Sequence, residues 1–150
     1  MSEEFWQHTQ FKEPFDRDHT RCMVKMAYDH GLLGVADEDG VCGFIAAIKS
    51  PLLASTSAFM ATELAWWVNP DKRHSKIGLN LIQLLERLCI QQEVTYLSMV
   101  FMETSMPERV KTLYESLGYK LQETVYTKVL NSGSSNYGSG SISRSGCILC

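Results

Sequence analysis

The residues best suited to chemistry lie where an apolar segment runs into a cationic loop. The apolar segment covers residues 59–68 and a leucine-rich segment begins at Ile77. The loop between them contains Lys72, Arg73, His74, Ser75 and Lys76. If a helix begins at Ile77, its N-terminus presents free N–H groups and a partial positive charge. This arrangement suits an anion, above all a phosphate or pyrophosphate, and Gly78 would allow a close approach to the backbone. An ordinary charged loop between a strand and a helix is the alternative.

The elements that must position this loop are predicted to form an α/β domain with a mixed sheet. Helical periodicity predicts helices at 17–30, 76–92 and 107–117, the first with Asp18 as its N-cap. Apolar or alternating segments predict strands at 32–37, 41–49, 59–68, 95–103 and 119–129, the first two joined in a hairpin. Two of the connections are strand–helix–strand, which need either parallel neighbouring strands or a longer return path.

Composition limits the class of protein. The chain has 150 residues, 45% of them hydrophobic and 21% charged, which is typical of one folded domain. Its net charge of −3 argues against a strongly basic nucleic-acid binder. No apolar run approaches the roughly 18–20 residues of a membrane span, and the acidic, polar N-terminus does not resemble a secretory signal. The five cysteines are an odd number, and three of them lie in apolar patterns as small buried residues, which favours a reducing compartment.

The C-terminal residues differ in composition from the rest. Residues 131–150 contain seven Ser and four Gly, whereas residues 1–130 carry the helix and strand patterns. We therefore expect a folded domain at 1–130 and a flexible tail at 131–150. The tail ends in Cys-Ile-Leu-Cys, which by itself is weak support for a metal or lipid site, and no metal site is predicted.

Two motifs stand out on either side of a predicted strand. The first is Trp67-Val68-Asn69-Pro70 followed by Arg73-His74-Ser75-Lys76-Ile77-Gly78, and the second is Leu113-Tyr114-Glu115-Ser116-Leu117-Gly118-Tyr119. Together they resemble the motifs of the GNAT family of acyl-CoA N-acyltransferases, with Lys76 where the family has Gly. The resemblance covers roughly residues 24–130 and looks closest to short members encoded by bacteriophages.

The resemblance implies a fold and a cofactor. It implies a GNAT-like mixed sheet with a splay, the place where strand 59–68 separates from strand 95–103, and acetyl-CoA bound in that splay. The pyrophosphate would meet the amides of residues 73–78, and strand 64–68 would pair with the pantetheine arm. The residues expected to bind the cofactor are Trp67, Val68, Arg73, His74, Ser75, Lys76, Ile77 and Gly78.

Acyl transfer to an amine also needs groups that move protons. Glu63 lies in an apolar strand, where burial would raise its pKa toward that of a general base. Its alternation with Leu64 leaves open that it faces solvent. Tyr114 matches the tyrosine that protonates the leaving thiolate in the family. The alternative for Tyr114 is a core residue on the same helix face as Val110 and Leu117.

Two functions are compatible with these residues. One is an N-acetyltransferase that moves an acetyl group from acetyl-CoA to an amine acceptor of unknown identity. The other is a GNAT-shaped structural or interaction protein without catalysis, for example a phage virion component, which Lys76 and the Ser/Gly-rich tail favour. We expect no membrane or nucleic-acid partner, and either a homodimer or contacts with phage structural proteins through the tail. The expected location is the cytoplasm, that of the host for a phage protein, with the virion as the alternative.

Overall fold

The computed structural model describes residues 2–9, 11–101 and 107–130. In these residues the order of elements is α1 (Ser2–Gln7), α2 (Arg17–Asp29), β1 (Leu33–Asp37), β2 (Val41–Pro51), β3 (Phe59–Val68), a 3-10 turn (Pro70–Lys72), α3 (Ile77–Gln91), β4 (Tyr96–Ser98) and α4 (Pro107–Ser116). The strands form one sheet in the order β1-β2-β3-β4. The first two pairings are antiparallel and the third is parallel, so the mixed α/β sheet predicted from the sequence is confirmed.

A tight turn produces the β1–β2 hairpin. The Asp37 carboxylate accepts the Gly40 N–H at 2.9 Å, and Asp39 and Gly40 both adopt positive φ, at 57° and 123°. Asp tolerates this conformation and glycine adopts it without steric cost, which is why this sequence turns here. The hairpin prediction is confirmed, and β2 extends two residues further than predicted, to Pro51.

Helix α3 supplies much of the core that supports β3. Its buried residues are Ile77, Leu81, Ile82, Leu85 and Cys89, and they pack with buried side chains of the sheet such as Ile45 and Ala61. Gly43 of β2 allows this approach, because a Cβ there would lie 3.1 Å from Leu81 Cδ1 and 3.1 Å from the Trp67 carbonyl oxygen. Burial of this stripe fixes where α3 begins relative to the end of β3.

The parallel pairing of β3 with β4 is short. It joins Met60 with Tyr96, Ala61 with Leu97, and Thr62 with Ser98. Strand β3 continues to Val68, and along 63–68 it has no strand neighbour on that side within the described residues. Of the predicted strand 95–103, residues 102 and 103 lie outside the described residues, and within 95–101 only Tyr96–Ser98 form a strand. Among the described residues, β3 therefore has an open side that begins after Thr62.

Other predictions need correction. The N-cap of α2 is Asp16, whose carboxylate accepts the His19 N–H at 2.9 Å, and not Asp18. Cys22 is exposed, whereas Cys42 and Cys89 are buried as expected. Helix α1 was not predicted, because six residues are too few for a periodic pattern.

The predicted strand 119–129 is wrong. The apolar alternation is present, but Leu121, Val125 and Val129 are 72–81% exposed and the segment has no regular secondary structure. A strand requires a neighbour for its backbone groups, and β4 offers an edge of only three residues. The predicted tail at 131–150 lies outside the described residues. In the part of the chain that the structure describes, no helix is long and apolar enough to cross a membrane.

Candidate active site

The loop between β3 and α3 leaves backbone donors free at the start of the helix. The Ser75 hydroxyl donates to the Lys72 carbonyl at 2.7 Å and accepts the Ile77 N–H at 3.2 Å. The Asn80 N–H bonds to the Lys76 carbonyl at 2.9 Å. Within the described residues, the N–H groups of Gly78 and Leu79 have no acceptor from the protein. These two amides are therefore available to an anion.

The cations around this helix end differ in their surroundings. Arg73 is half-buried, and its Nε–H donates to the Val68 carbonyl at 3.0 Å. Its other guanidinium N–H groups have no acceptor among the described residues. Lys72 Nζ is 3.4 Å from Glu38 Oε2, which draws it toward the β1–β2 turn. His74 and Lys76 are exposed.

Gly78 has a packing role that the sequence did not reveal. A Cβ at Gly78 would lie 3.1 Å from Trp66 Cζ2 and 3.8 Å from Val68 Cγ2. Glycine thus lets the first turn of α3 lie against the Trp66 indole, whose ring centroid is 6.2 Å from that of Tyr114. The expectation of a close ligand approach at Gly78 stays a prediction. Ile77, also predicted to bind the cofactor, has its side chain in the core and its amide bonded to Ser75.

Three buried polar atoms at the end of β3 have no partner. They are Trp66 Nε1, Trp67 Nε1 and Asn69 Oδ1, and among the described residues they are the complete set of such side-chain atoms. Buried polar groups are nearly always hydrogen-bonded, so their concentration in one short segment is unusual. These residues lie within positions 66–69, which lead directly into the cationic loop.

The structure brings the two predicted proton-transfer residues to the same backbone position. Glu63 Oε2 accepts the Val100 N–H at 3.0 Å, and the Tyr114 hydroxyl donates to the Val100 carbonyl at 3.1 Å. Val100 lies two residues beyond the end of β4, on the open side of β3. Glu63 is half-buried, so it does not point freely into solvent. We call this arrangement of Glu63, Val100 and Tyr114 the Val100 clamp.

The environment of the clamp raises the pKa of both groups, which brings the Glu63 carboxyl near neutral pH and keeps the Tyr114 phenol protonated. Burial raises the pKa of Glu63 from 4.5 to about 7, against a smaller lowering by the Val100 N–H. Burial, with a smaller contribution from the nearby Glu63 and Tyr119, raises the pKa of Tyr114 well above its usual value of 10. At neutral pH the carboxyl group can therefore accept a proton, while the phenol keeps its own.

A β-bulge turns Glu63 toward the clamp. Ala46 pairs with Ala65 and Ala47 pairs with Glu63, which leaves Leu64 without a partner residue in β2. Leu64 is 42% exposed. A bulge changes the direction of the side chains beside it, so strict alternation along 59–68 could not predict where Glu63 points. Val100 was also missed, because it contributes backbone atoms that no side-chain pattern signals.

The end of α4 fixes Tyr114 from the other side. Gly118 has φ of 89°, and the Tyr119 N–H folds back to the Tyr114 carbonyl at 3.0 Å. The Tyr119 ring centroid lies 5.6 Å from that of Tyr114, and the Tyr119 hydroxyl donates to Glu86 Oε1 at 2.9 Å. Gly118 adopts the positive φ that ends α4, and the turn it forms brings the Tyr119 ring against the Tyr114 ring. Tyr114 does belong to the core, with Val110 and Leu117, as its alternative interpretation held.

No metal centre accompanies these groups in the described part of the chain. There, no cluster of three or more His, Cys, Asp or Glu side chains could hold a metal ion. The site thus consists of free amides and a guanidinium at one end of the open side of β3, and a carboxyl–phenol pair at the other. Such a site can hold an elongated anionic ligand and move protons near its far end.

Comparisons with known proteins identify the family and the fold of this chain. The model of the Acetyltransferase (GNAT) family matches residues 1–119. A search of curated proteins found no match. An acetyltransferase of Trypanosoma brucei has a similar structure, with a TM-score of 0.64, 19% identity, and coverage of 86% of this chain and 90% of that one.

Two further solved structures share the fold. Glucosamine-6-phosphate N-acetyltransferase from Arabidopsis thaliana has a TM-score of 0.65 at 13% identity, with coverage of 85% of this chain and 86% of that one. AAC(6')-Iy, in complex with the bisubstrate analogue CoA-S-monomethyl-acetylneamine, has a TM-score of 0.61 at 16% identity, with coverage of 85% and 90%. At these identities the structural likeness supports the fold.

Proposed function

This chain belongs to the GNAT acetyltransferase family, and on that premise we propose that it is an N-acetyltransferase that moves the acetyl group of acetyl-CoA to an amine. The observation that carries the proposal is the Val100 clamp, which places a carboxyl group of pKa about 7 and a protonated phenol on the two backbone groups of one residue. This pair of groups supports catalysis over a purely structural role, because it joins a proton acceptor and a proton donor beside the open side of β3.

The cofactor site follows from the free donors of the chain. The diphosphate of acetyl-CoA would bind the amides of Gly78 and Leu79. The unbonded guanidinium N–H groups of Arg73 would bind a phosphate of the cofactor from the Trp67 side of the same strand end. The pantetheine arm would lie along the open side of β3, where residues 63–68 have no strand neighbour. One end of this path is the start of α3, and the other end is the Val100 clamp. Lys76, which replaces the family's Gly, is exposed and adds a cation beside the diphosphate.

The two side chains of the clamp, Glu63 and Tyr114, have separate tasks. The attacking amine must be neutral, and Glu63 takes up the proton that the amine loses. As the nitrogen–carbon bond forms and the carbon–sulfur bond breaks, the departing thiolate takes a proton from Tyr114, and solvent replaces it. Tyr114 must then give up its bond to the Val100 carbonyl in the transition state. A thiol of pKa near 8–9 leaves tolerably well without help, so Tyr114 assists the reaction and is not indispensable to it.

A transfer assay tests the proposal. The full chain is mixed with acetyl-CoA and a panel of amines that includes small polyamines, amino sugars and peptides with free N-termini, and released thiol is measured. We expect turnover with at least one class of amine, and a loss of turnover in Glu63→Gln. Binding of coenzyme A is measured separately by calorimetry. No binding at millimolar coenzyme A would contradict the proposal and favour the non-catalytic alternative. The resemblance to phage-encoded members is not tested by this assay and stays a prediction.

A further inference from the structure

We infer that Trp67 is a positioning residue, which holds the Arg73 guanidinium in place for a phosphate of the cofactor; the inference rests on the proposed acetyl-CoA site. The Arg73 guanidinium carbon lies 4.4 Å from the centroid of the Trp67 ring. The family resemblance implies that Trp67 is one of the residues that bind the cofactor, and this stays a prediction for its backbone. The Trp67 side chain is only 6% exposed, so the buried indole acts on a ligand through its neighbour.

Two contacts restrain Arg73 without using the donors that an anion needs. The Nε–H bonds to the Val68 carbonyl at 3.0 Å, and the planar guanidinium lies over the indole face. The remaining N–H groups have no acceptor among the described residues. A free arginine would lose much side-chain freedom on binding a phosphate, whereas a restrained one loses less. Trp67 thus increases affinity by preorganising Arg73.

The Trp67 ring is itself fixed by the N-terminal helix. Phe5 of α1 meets it edge-on at 6.1 Å between centroids, and the His8 ring lies 4.9 Å away. Phe5 also contacts Phe44 at 6.0 Å, and Phe44 is the β2 residue paired with Trp67. The platform for Arg73 is therefore built by α1 and β2, on the sheet face opposite the one on which Trp66 packs against Gly78.

A double-mutant cycle separates positioning from a purely structural role. The dissociation constant of coenzyme A is measured by calorimetry for the wild type, Trp67→Leu, Arg73→Ala and the double variant. Stacking of a cation on an indole predicts that Trp67→Leu weakens binding about 3–30-fold when Arg73 is present. In the Arg73→Ala background the same substitution should have less than about a 3-fold effect, since nothing remains to be positioned.

Phe44→Leu is the matched control for packing. It disturbs the same aromatic cluster through Phe5 but leaves the Trp67 ring on which Arg73 stacks. It should therefore lower the melting temperature while leaving coenzyme A affinity within about 3-fold of wild type. Equal losses from Trp67→Leu in both Arg73 backgrounds would show that Trp67 is only a core residue. If Arg73→Ala does not change affinity, the error lies instead in the proposed cofactor site.

Two variants keep the inference testable if Trp67→Leu does not fold. Trp67→Phe retains an aromatic face and should bind coenzyme A within about 3-fold of wild type. Arg73→Lys keeps the charge but lacks both the planar group and the Nε–H, so we expect about 3–30-fold weaker binding. Wild-type affinity in Arg73→Lys would overturn the inference, because charge alone would then suffice.

Discussion

Glu63→Gln tests the chemistry of the Val100 clamp with the least change of shape. Glutamine has nearly the same size as glutamate, and its side-chain oxygen can still accept the Val100 N–H that Glu63 accepts at 3.0 Å. The variant therefore keeps the contact but cannot take up a proton. If Glu63 is the general base, we expect kcat/KM to fall about 10²–10⁴-fold at neutral pH, with coenzyme A affinity unchanged. The wild-type rise of kcat/KM around pH 7 should be absent in the variant.

The same substitution has a calculable effect on stability. Because burial raises the pKa of Glu63 from 4.5 to about 7, the unfolded chain ionises at lower pH than the folded protein. The contribution of Glu63 to the free energy of unfolding is therefore largest below about pH 4.5. It decreases as the pH rises through about 7. The loss corresponds to about 3 kcal/mol at pH 8 and above.

Urea unfolding at pH 5 and pH 8.5 measures this effect. We expect Glu63→Gln to gain about 2–3 kcal/mol relative to the wild type between these two pH values. Glu115→Gln, which changes an exposed carboxylate on α4, is the control and should gain much less. The reasoning is refuted if the Glu63→Gln and wild-type curves stay parallel with pH, or if the variant keeps the wild-type rate profile.

Four further predictions concern other parts of the molecule. Tyr114→Phe should fold and bind coenzyme A normally but lose about 10–10³-fold in kcat at saturating acetyl-CoA; an equal kcat, with chemistry rate-limiting, would make Tyr114 a core aromatic only. Lys76→Gly should retain coenzyme A binding by calorimetry, since glycine is the family's own residue; abolished binding would contradict this. Gly43→Ala should lower stability by about 1–3 kcal/mol in urea unfolding, because its Cβ would lie 3.1 Å from a backbone oxygen; an unchanged midpoint would show that α3 and β2 can move apart easily. A chain ending at Leu130 should melt close to the full-length protein, since Ser/Gly-rich segments bury little surface; a large loss would place the domain boundary beyond 130.

The strand and helix on either side of the cationic loop were predictable because their apolar patterns are long. Strand β3 and helix α3 lie within a residue of their predicted bounds, and the apolar stripe of α3 is a strong helical signal. The motif residues at 67–78 and 113–119 led to the same family that the family model identifies. The β1–β2 hairpin was also predictable, because Glu38-Asp39-Gly40 is a turn sequence between two apolar segments.

The features that the sequence analysis missed or predicted wrongly depend on contacts between distant segments of the chain. Helix α1 is held by Phe5 against Trp67, across more than sixty positions of sequence, and its own pattern is too short to detect. The Val100 clamp depends on a bulge at Leu64 and on backbone atoms of Val100, and neither has a side-chain signature. The segment 119–129 is the opposite case. Its sequence alternates like a strand, but among the described residues it has no neighbouring strand with which to pair.

The most direct test of the account is a titration of the ¹⁵N-labelled full chain with coenzyme A, followed by amide NMR. The central claim is that the cofactor binds the free amides at the start of α3 and lies along the open side of β3. The largest shifts should therefore occur at Gly78 and Leu79, with smaller shifts along 63–68 and at Val100. Shifts confined to another surface, or none at millimolar coenzyme A, would contradict the claim.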